Sequence, residues 1–132
     1  MQRLKTRSQF QAVLAGQIIA RTPHFALHAC ALAPAPAQEP LFQHADVWMG
    51  AMVPKRWARH AATRNAIKRQ IYTVSSHLSA RLPQAAHVVR LRVAFDRKQF
   101  RSASSPHLKD AVRAELEQLF RTCAAAPSGV AA

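Results

Sequence analysis

The chain has 132 residues, room for one domain with a single core, and its apolar fraction of 49% suits a globular protein. Nineteen Lys and Arg against six Asp and Glu leave a formal charge of +13. That imbalance argues against chemistry built on clustered carboxylates and points to a polyanionic partner.

The N-terminus carries Arg3, Lys5 and Arg7, then a mildly apolar run to Ala20. This imitates a signal peptide, but Gln9, Gln11 and Gln17 interrupt it and Arg21 follows at once, so it reads as part of the fold. Nowhere do about 18 uncharged apolar residues run together, so no membrane-spanning helix is expected. No amphipathic anchor or lipidation signal is evident either. Two cysteines, Cys30 and Cys123, are too few for a disulfide framework and fit a reducing cytoplasm.

Thr6-Arg7-Ser8-Gln9 fits a capping box, with Thr6 as N-cap and Gln9 reaching back. A short helix should follow, with Phe10, Val13 and Leu14 on one side and Gly16 at its end. His24–Leu32 has strand character, with Phe25, Leu27, Ala29 and Ala31 as the core face and His24, His28 and Cys30 facing the other way. Residues 33–40 (APAPAQEP) form a proline-rich exposed loop. Val47–Val53 is a continuous apolar run and predicts a buried strand.

The next segment is the most informative. Val53–Tyr72 holds Lys55, Arg56, Arg59, Arg64, Lys68 and Arg69, and no acid occurs between Asp46 and Asp96. Ile67, Ile71, Val74 and Leu78 fall at i, i+4, i+7 and i+11, the apolar stripe of a helix. Arg64, Lys68, Tyr72 and Asn65 lie beside that stripe, with Arg69 further round, and Pro83 closes the segment. One flank thus belongs to a core while the adjacent flank projects cations. Solvated helix faces usually interleave acids with bases, whereas this one has bases alone.

His87–Phe95 alternates, with Val89, Leu91 and Val93 on one side and Arg90 and Arg92 on the other, which predicts a half-buried strand. Ser105-Pro106 is a helix start, followed by the stripe Leu108, Val112, Leu116, Leu119 and Phe120. From Ala124 the pattern is lost. The elements predict a two-layer α+β sandwich: a mixed sheet of three to four strands with three helices. Residues 1–124 would form one domain, and 125–132 a frayed tail.

A nucleic acid answers this charge pattern, because releasing its condensed counterions supplies binding free energy. Arg64, Lys68 and Arg69 provide cations on a rigid support, Asn65 an amide, and Tyr72 a ring for stacking. Val53-Pro54-Lys55-Arg56 followed by Thr63-Arg64-Asn65-Ala66-Ile67-Lys68-Arg69 resembles the signature of the bacterial ribonuclease P protein component family. The resemblance covers most of the chain: Arg3-Leu4-Lys5 with Phe10 and Val13, the Gly50–Val53 and Val88-Val89 strands, and the final helix fall in the family's order.

The resemblance implies a left-handed βαβ crossover, against the usual right-handed preference. It further implies a non-catalytic subunit that binds a large catalytic RNA and the 5′ leader of precursor tRNA. The RNA, with Mg²⁺, performs the hydrolysis that matures the tRNA 5′ end. By position, Arg64, Asn65, Lys68 and Arg69 match the basic-helix motif, Lys55 and Arg56 match the strand-end pair, and Arg59 lies in the basic approach to the helix. Phe10 matches a leader-cleft aromatic, Leu14 stands where a second aromatic is common, and His28 takes a cleft position that otherwise reads as a solvent-facing strand histidine. Ala66 replaces the usual second arginine, Tyr72-Thr73 replaces a pair that begins with a base, and Trp57 stands where the approach is usually small.

Three rivals compete. A protein nuclease would need His60, or His107 with Asp110, as acid–base groups, and no carboxylate cluster is at hand for Mg²⁺. A structural or ribosomal RNA-binding protein shares the charge but not the motif set. DNA recognition finds no helix-turn-helix pattern. A metal site on His24, His28 and Cys30 is disfavoured because the two histidines would lie about 13 Å apart along a strand.

Overall fold

The computed structural model describes residues 1–32, 42, 46–95 and 106–125. Its elements are β1 (Gln2–Arg3), α1 (Arg7–Leu14), β2 (Gln17–Arg21), β3 (Phe25–Cys30), β4 (Trp48–Met52), α2 (Ala61–Leu78), β5 (Ala86–Leu91) and α3 (Pro106–Ala125), with a short 3₁₀ turn at Ser79–Arg81. The proline-rich loop, the Ser105 cap and residues 126–132 fall outside the described residues. The capping box forms as its four residues dictate: Thr6 Oγ1 accepts the Gln9 N–H at 3.2 Å, and Gln9 Oε1 accepts the Thr6 N–H at 3.1 Å.

The five strands form one mixed sheet in the order β1-β4-β5-β3-β2. β1, β4 and β5 run parallel, and β3 is antiparallel to both β5 and β2. β4 and β5 are joined through α2, a βαβ unit. The α+β class and mixed sheet are as the sequence predicts, but the strand count is five. β1 is too short to leave a pattern. β2 carries a register shift between Ile18 and Ala20 that destroys its period-two alternation.

Helices lie on both faces. α2 and α3 cover one, burying Ile67, Ile71, Val74, Leu108, Val112, Leu116, Leu119 and Phe120 against Phe25, Leu27, Met49, Val89 and Leu91. Both predicted stripes are therefore core, with Leu78 partly buried beside them. α1 covers the other face, where Leu4 and Val13 meet Trp48, Ala86 and Val88. β5 is consequently buried on both sides rather than half-buried. It ends at Leu91, because its partner β3 begins at Phe25, so Val93 is 40% exposed instead of joining the core.

His87 is completely buried, and its Nδ1 donates to the Trp48 carbonyl at 3.1 Å. Desolvation holds its pKa below the ordinary histidine value, outweighing the backbone hydrogen bonds that favour the proton. His28, discussed below, is lowered too. A depressed folded-state pKa means that the unfolded chain binds more protons. The stability contributed is then complete above about pH 6.5 and is lost as pH falls below it. The melting temperature is expected to be level near pH 7 and to decline toward pH 5, less steeply in His87→Gln. A melting temperature that rises on acidification would contradict this.

Candidate nucleic-acid interface

α2 starts without help from a side-chain cap: His60 is its N-cap and makes no capping bond. The loop before it is held otherwise. The N–H groups of Trp57 and Ala58 both reach the Pro54 carbonyl at 3.1 Å. Arg64 then reaches back from the first turn, its Nη1 donating to the carbonyls of Ala58 at 3.1 Å and Arg59 at 2.8 Å. Arg64 is therefore half-buried and partly committed to shaping the Lys55–Arg59 loop, a structural duty the sequence did not reveal. Lys55, Arg56, Arg59, Asn65, Lys68 and Arg69 are exposed. Among the described residues, no carboxylate lies within ion-pair distance of any of these cations. The acid-free first turn of α2 adds the positive end of its macrodipole to the same region.

Tyr72 and Trp57 behave differently from their neighbours. Tyr72 is half-buried against the core, and its hydroxyl oxygen accepts the Ala51 N–H at 3.2 Å, beyond the reach of β1 on that edge of β4. One ring face is covered by the Arg3 guanidinium. The freely offered stacking ring expected at position 72 is thus replaced by a ring already engaged. Trp57 also packs against the core, and Arg56 lies over its indole at 5.3 Å.

The second candidate surface is on the opposite side of the sheet. Phe10 and Leu14, one turn apart on α1, are both half-buried beside Cys30, Leu32 and Met52. Gly50 allows this approach: a Cβ there would stand 2.7 Å from the Phe10 ring and 2.8 Å from Leu4. The strand registers set Ile18, His28, Val88 and Gly50 in one row across this face, and Arg21, Ala26, Arg90 and Met52 in the next.

His28 is 6% exposed, which overturns its solvent-facing reading: α1 covers the strand there. Its Nε2 accepts from Arg90 Nε at 3.1 Å, leaving the proton on Nδ1, which is buried with no hydrogen-bond partner among the described residues. Burial, then the charges of Arg90 and Arg21, keep its pKa below the ordinary value. The sequence did not single out Arg21 or Arg90, which the registers place together on this face. Arg90 had the signal, being on the same side of its strand as Val88, but was read as facing solvent.

His24 leaves this face. Its Nδ1 meets Glu115 Oε1 of α3 at 2.7 Å, so His24, His28 and Cys30 do not converge. Among the described residues no group of three or more His, Cys, Asp or Glu is placed to hold a metal ion, and no helix is long and apolar enough to cross a membrane.

The family model described as Ribonuclease P matches residues 1–123. The Ribonuclease P protein component of Bordetella petrii is 36% identical over 118 residues, covering 89% of this chain and 88% of that protein. That of Bordetella parapertussis is 35% identical with the same coverage. Among solved structures, the RNase P protein of Staphylococcus aureus superposes with a TM-score of 0.64 at 18% identity, covering 92% of this chain and 94% of that one. The Thermotoga maritima RNase P protein gives 0.60 at 17% identity, covering 92% and 97%. With a five-stranded mixed sheet, an unneutralised basic helix and an α1-covered sheet face already in place, these matches show that the chain belongs to the ribonuclease P protein family.

Proposed function

We propose that this chain acts as the protein subunit of ribonuclease P, promoting removal of the 5′ leader from precursor tRNA while a partner RNA performs the cleavage. The observation that carries this reading is the surface of α2 and its preceding loop, where Lys55, Arg56, Arg59, Lys68 and Arg69 stand exposed and unpaired with any described carboxylate. Such a surface docks on folded RNA through phosphate contacts and counterion release. Arg64 contributes by fixing the loop, and Asn65 by offering an amide beside Lys68.

The groove beneath α1 is the leader site in this reading. Phe10 supplies a ring edge and Leu14 an apolar wall, while Arg21 and Arg90 offer charge to the sugar–phosphate chain at the groove's end. His28 supports the groove from within by holding Arg90. Mg²⁺ belongs to the RNA subunit and the substrate, whose phosphates are its ligands of choice. The protein's contribution is to lower the repulsion between two polyanions and to position the leader, in the cytoplasm where precursor tRNA is made.

The direct experiment is precursor tRNA cleavage at low Mg²⁺ by the cognate RNA subunit, with and without this protein. The protein should raise the rate, and alone it should cut nothing. Phe10→Ala is expected to weaken binding of precursor tRNA by about 1–3 kcal/mol, the range for one stacked base, and to leave mature tRNA binding unchanged. Equal losses for both ligands would remove Phe10 from the leader site.

A further inference from the structure

β1 is two residues long, yet it delivers Arg3 to the α2 side of the sheet, paired in register with Met49 of β4. The guanidinium carbon of Arg3 lies 4.1 Å from the centroid of the Tyr72 ring. A cation at that height over an aromatic face is attracted by the ring's quadrupole. The ring is a firm platform, because its hydroxyl is tied to the Ala51 N–H and one side packs on the core. A cation–π contact uses the charge of the guanidinium and leaves its N–H donors available for hydrogen bonds. Arg3 is exposed, and no described carboxylate is within ion-pair distance of it. Tyr72 follows Lys68 by four residues and Arg69 by three, so all three are neighbours on the helix surface.

We propose that Arg3 is a further RNA-contacting cation, and that Tyr72 is its positioning residue: the ring holds the guanidinium at the border of the α2 cationic surface with its N–H edge open to a phosphate. This rests on the RNA-docking reading above. It also explains why an aromatic residue at position 72 costs the surface no charge. The base expected there by resemblance is supplied from β1 instead, already ordered before the RNA arrives.

The test is the salt dependence of binding to the cognate RNA subunit, measured for the full chain and for Arg3→Ala, Tyr72→Phe, Tyr72→Ala and the Arg3→Ala/Tyr72→Ala double variant, with Lys68→Ala as the reference. Arg3→Ala should reduce the slope of log K against log salt by about 0.7–0.9, the value of one phosphate contact. Tyr72→Ala should weaken binding about two- to fivefold, and the double variant should bind like Arg3→Ala alone. Tyr72→Phe keeps the ring but drops the strand bond, so it should melt earlier yet recover most of the binding lost in Tyr72→Ala. That outcome separates positioning from mere support of the fold. An unchanged slope in Arg3→Ala, beside a reduced slope in Lys68→Ala, overturns the proposal and leaves the docking reading intact. So does additivity of the two single losses. A flat salt response of the parent protein overturns the docking reading and this proposal with it.

Discussion

Replacing Lys68 and Arg69 together with alanine is expected to weaken assembly with the cognate RNA about thirtyfold at 0.15 M salt. The figure follows from counterion release: each phosphate contact adds about 0.9 to the slope of log K against log salt, or about fivefold between 1 M and 0.15 M. If about six phosphates are neutralised, the parent slope lies near −4 to −5, and the double variant should lose nearly two units of it. Both side chains are exposed and make no described ion pair, so stability should hardly move. Helix α2 stays anchored through Ile67, Ile71 and Val74, all at most 2% exposed. A double variant with the parent's slope would show that the basic helix does not carry the RNA. Arg64→Ala is a different experiment, since it also frees the Ala58 and Arg59 carbonyls and loosens the loop that presents Lys55 and Arg56.

Glu115→Ala should cost about 3 kcal/mol of stability, the largest loss expected from any single polar side chain among the described residues. Its carboxylate is 12% exposed and gathers three groups of the β2–β3 turn onto α3: the Thr22 hydroxyl at 2.6 Å, the His24 N–H at 2.7 Å and His24 Nδ1 at 2.7 Å. Truncation leaves all three without that partner at a poorly hydrated site, at roughly 1 kcal/mol each. For a chain of this size the loss corresponds to about 10 °C in melting temperature. Glu115→Gln should retain most of the stability, because one amide oxygen can accept the first two bonds while the amide N–H donates to a neutral His24 ring. Equal loss in both variants would assign the effect to charge rather than to hydrogen bonding.

Legibility in the sequence tracked periodicity. The α2 and α3 stripes, the Thr6–Gln9 cap and the apolar β4 run were all readable, because each rests on contacts within a few turns or residues. β1 and β2 were not, since one is defined only by pairing with β4 and the other is broken by a bulge. The site divided in the same way. Lys55, Arg56, Lys68 and Arg69 were legible as a charge pattern, and family resemblance ordered them. The engagement of Arg64, Tyr72 and His28 was not, because their partners lie elsewhere in the chain: loop carbonyls for Arg64, Arg3 and the Ala51 N–H for Tyr72, and Arg90 for His28. Alternation placed Arg90 on the side of β5 opposite Val89 but could not say that α1 covers that side. A half-buried strand and a doubly covered one differ only in what packs above them.

The missing side chain of Gly50 reaches beyond local packing. The Phe10 ring rests directly on the β4 main chain, so its height over the sheet is set by peptide geometry and not by a rotamer. Adding one carbon at position 50 would push the Phe10 ring and Leu4 away from the sheet, leaving the cationic surface of α2 on the far side untouched. The two halves of the molecule can therefore be altered one at a time: a substitution on β4 would act on the α1 side of the sheet alone, while the charges of α2 lie on the other side.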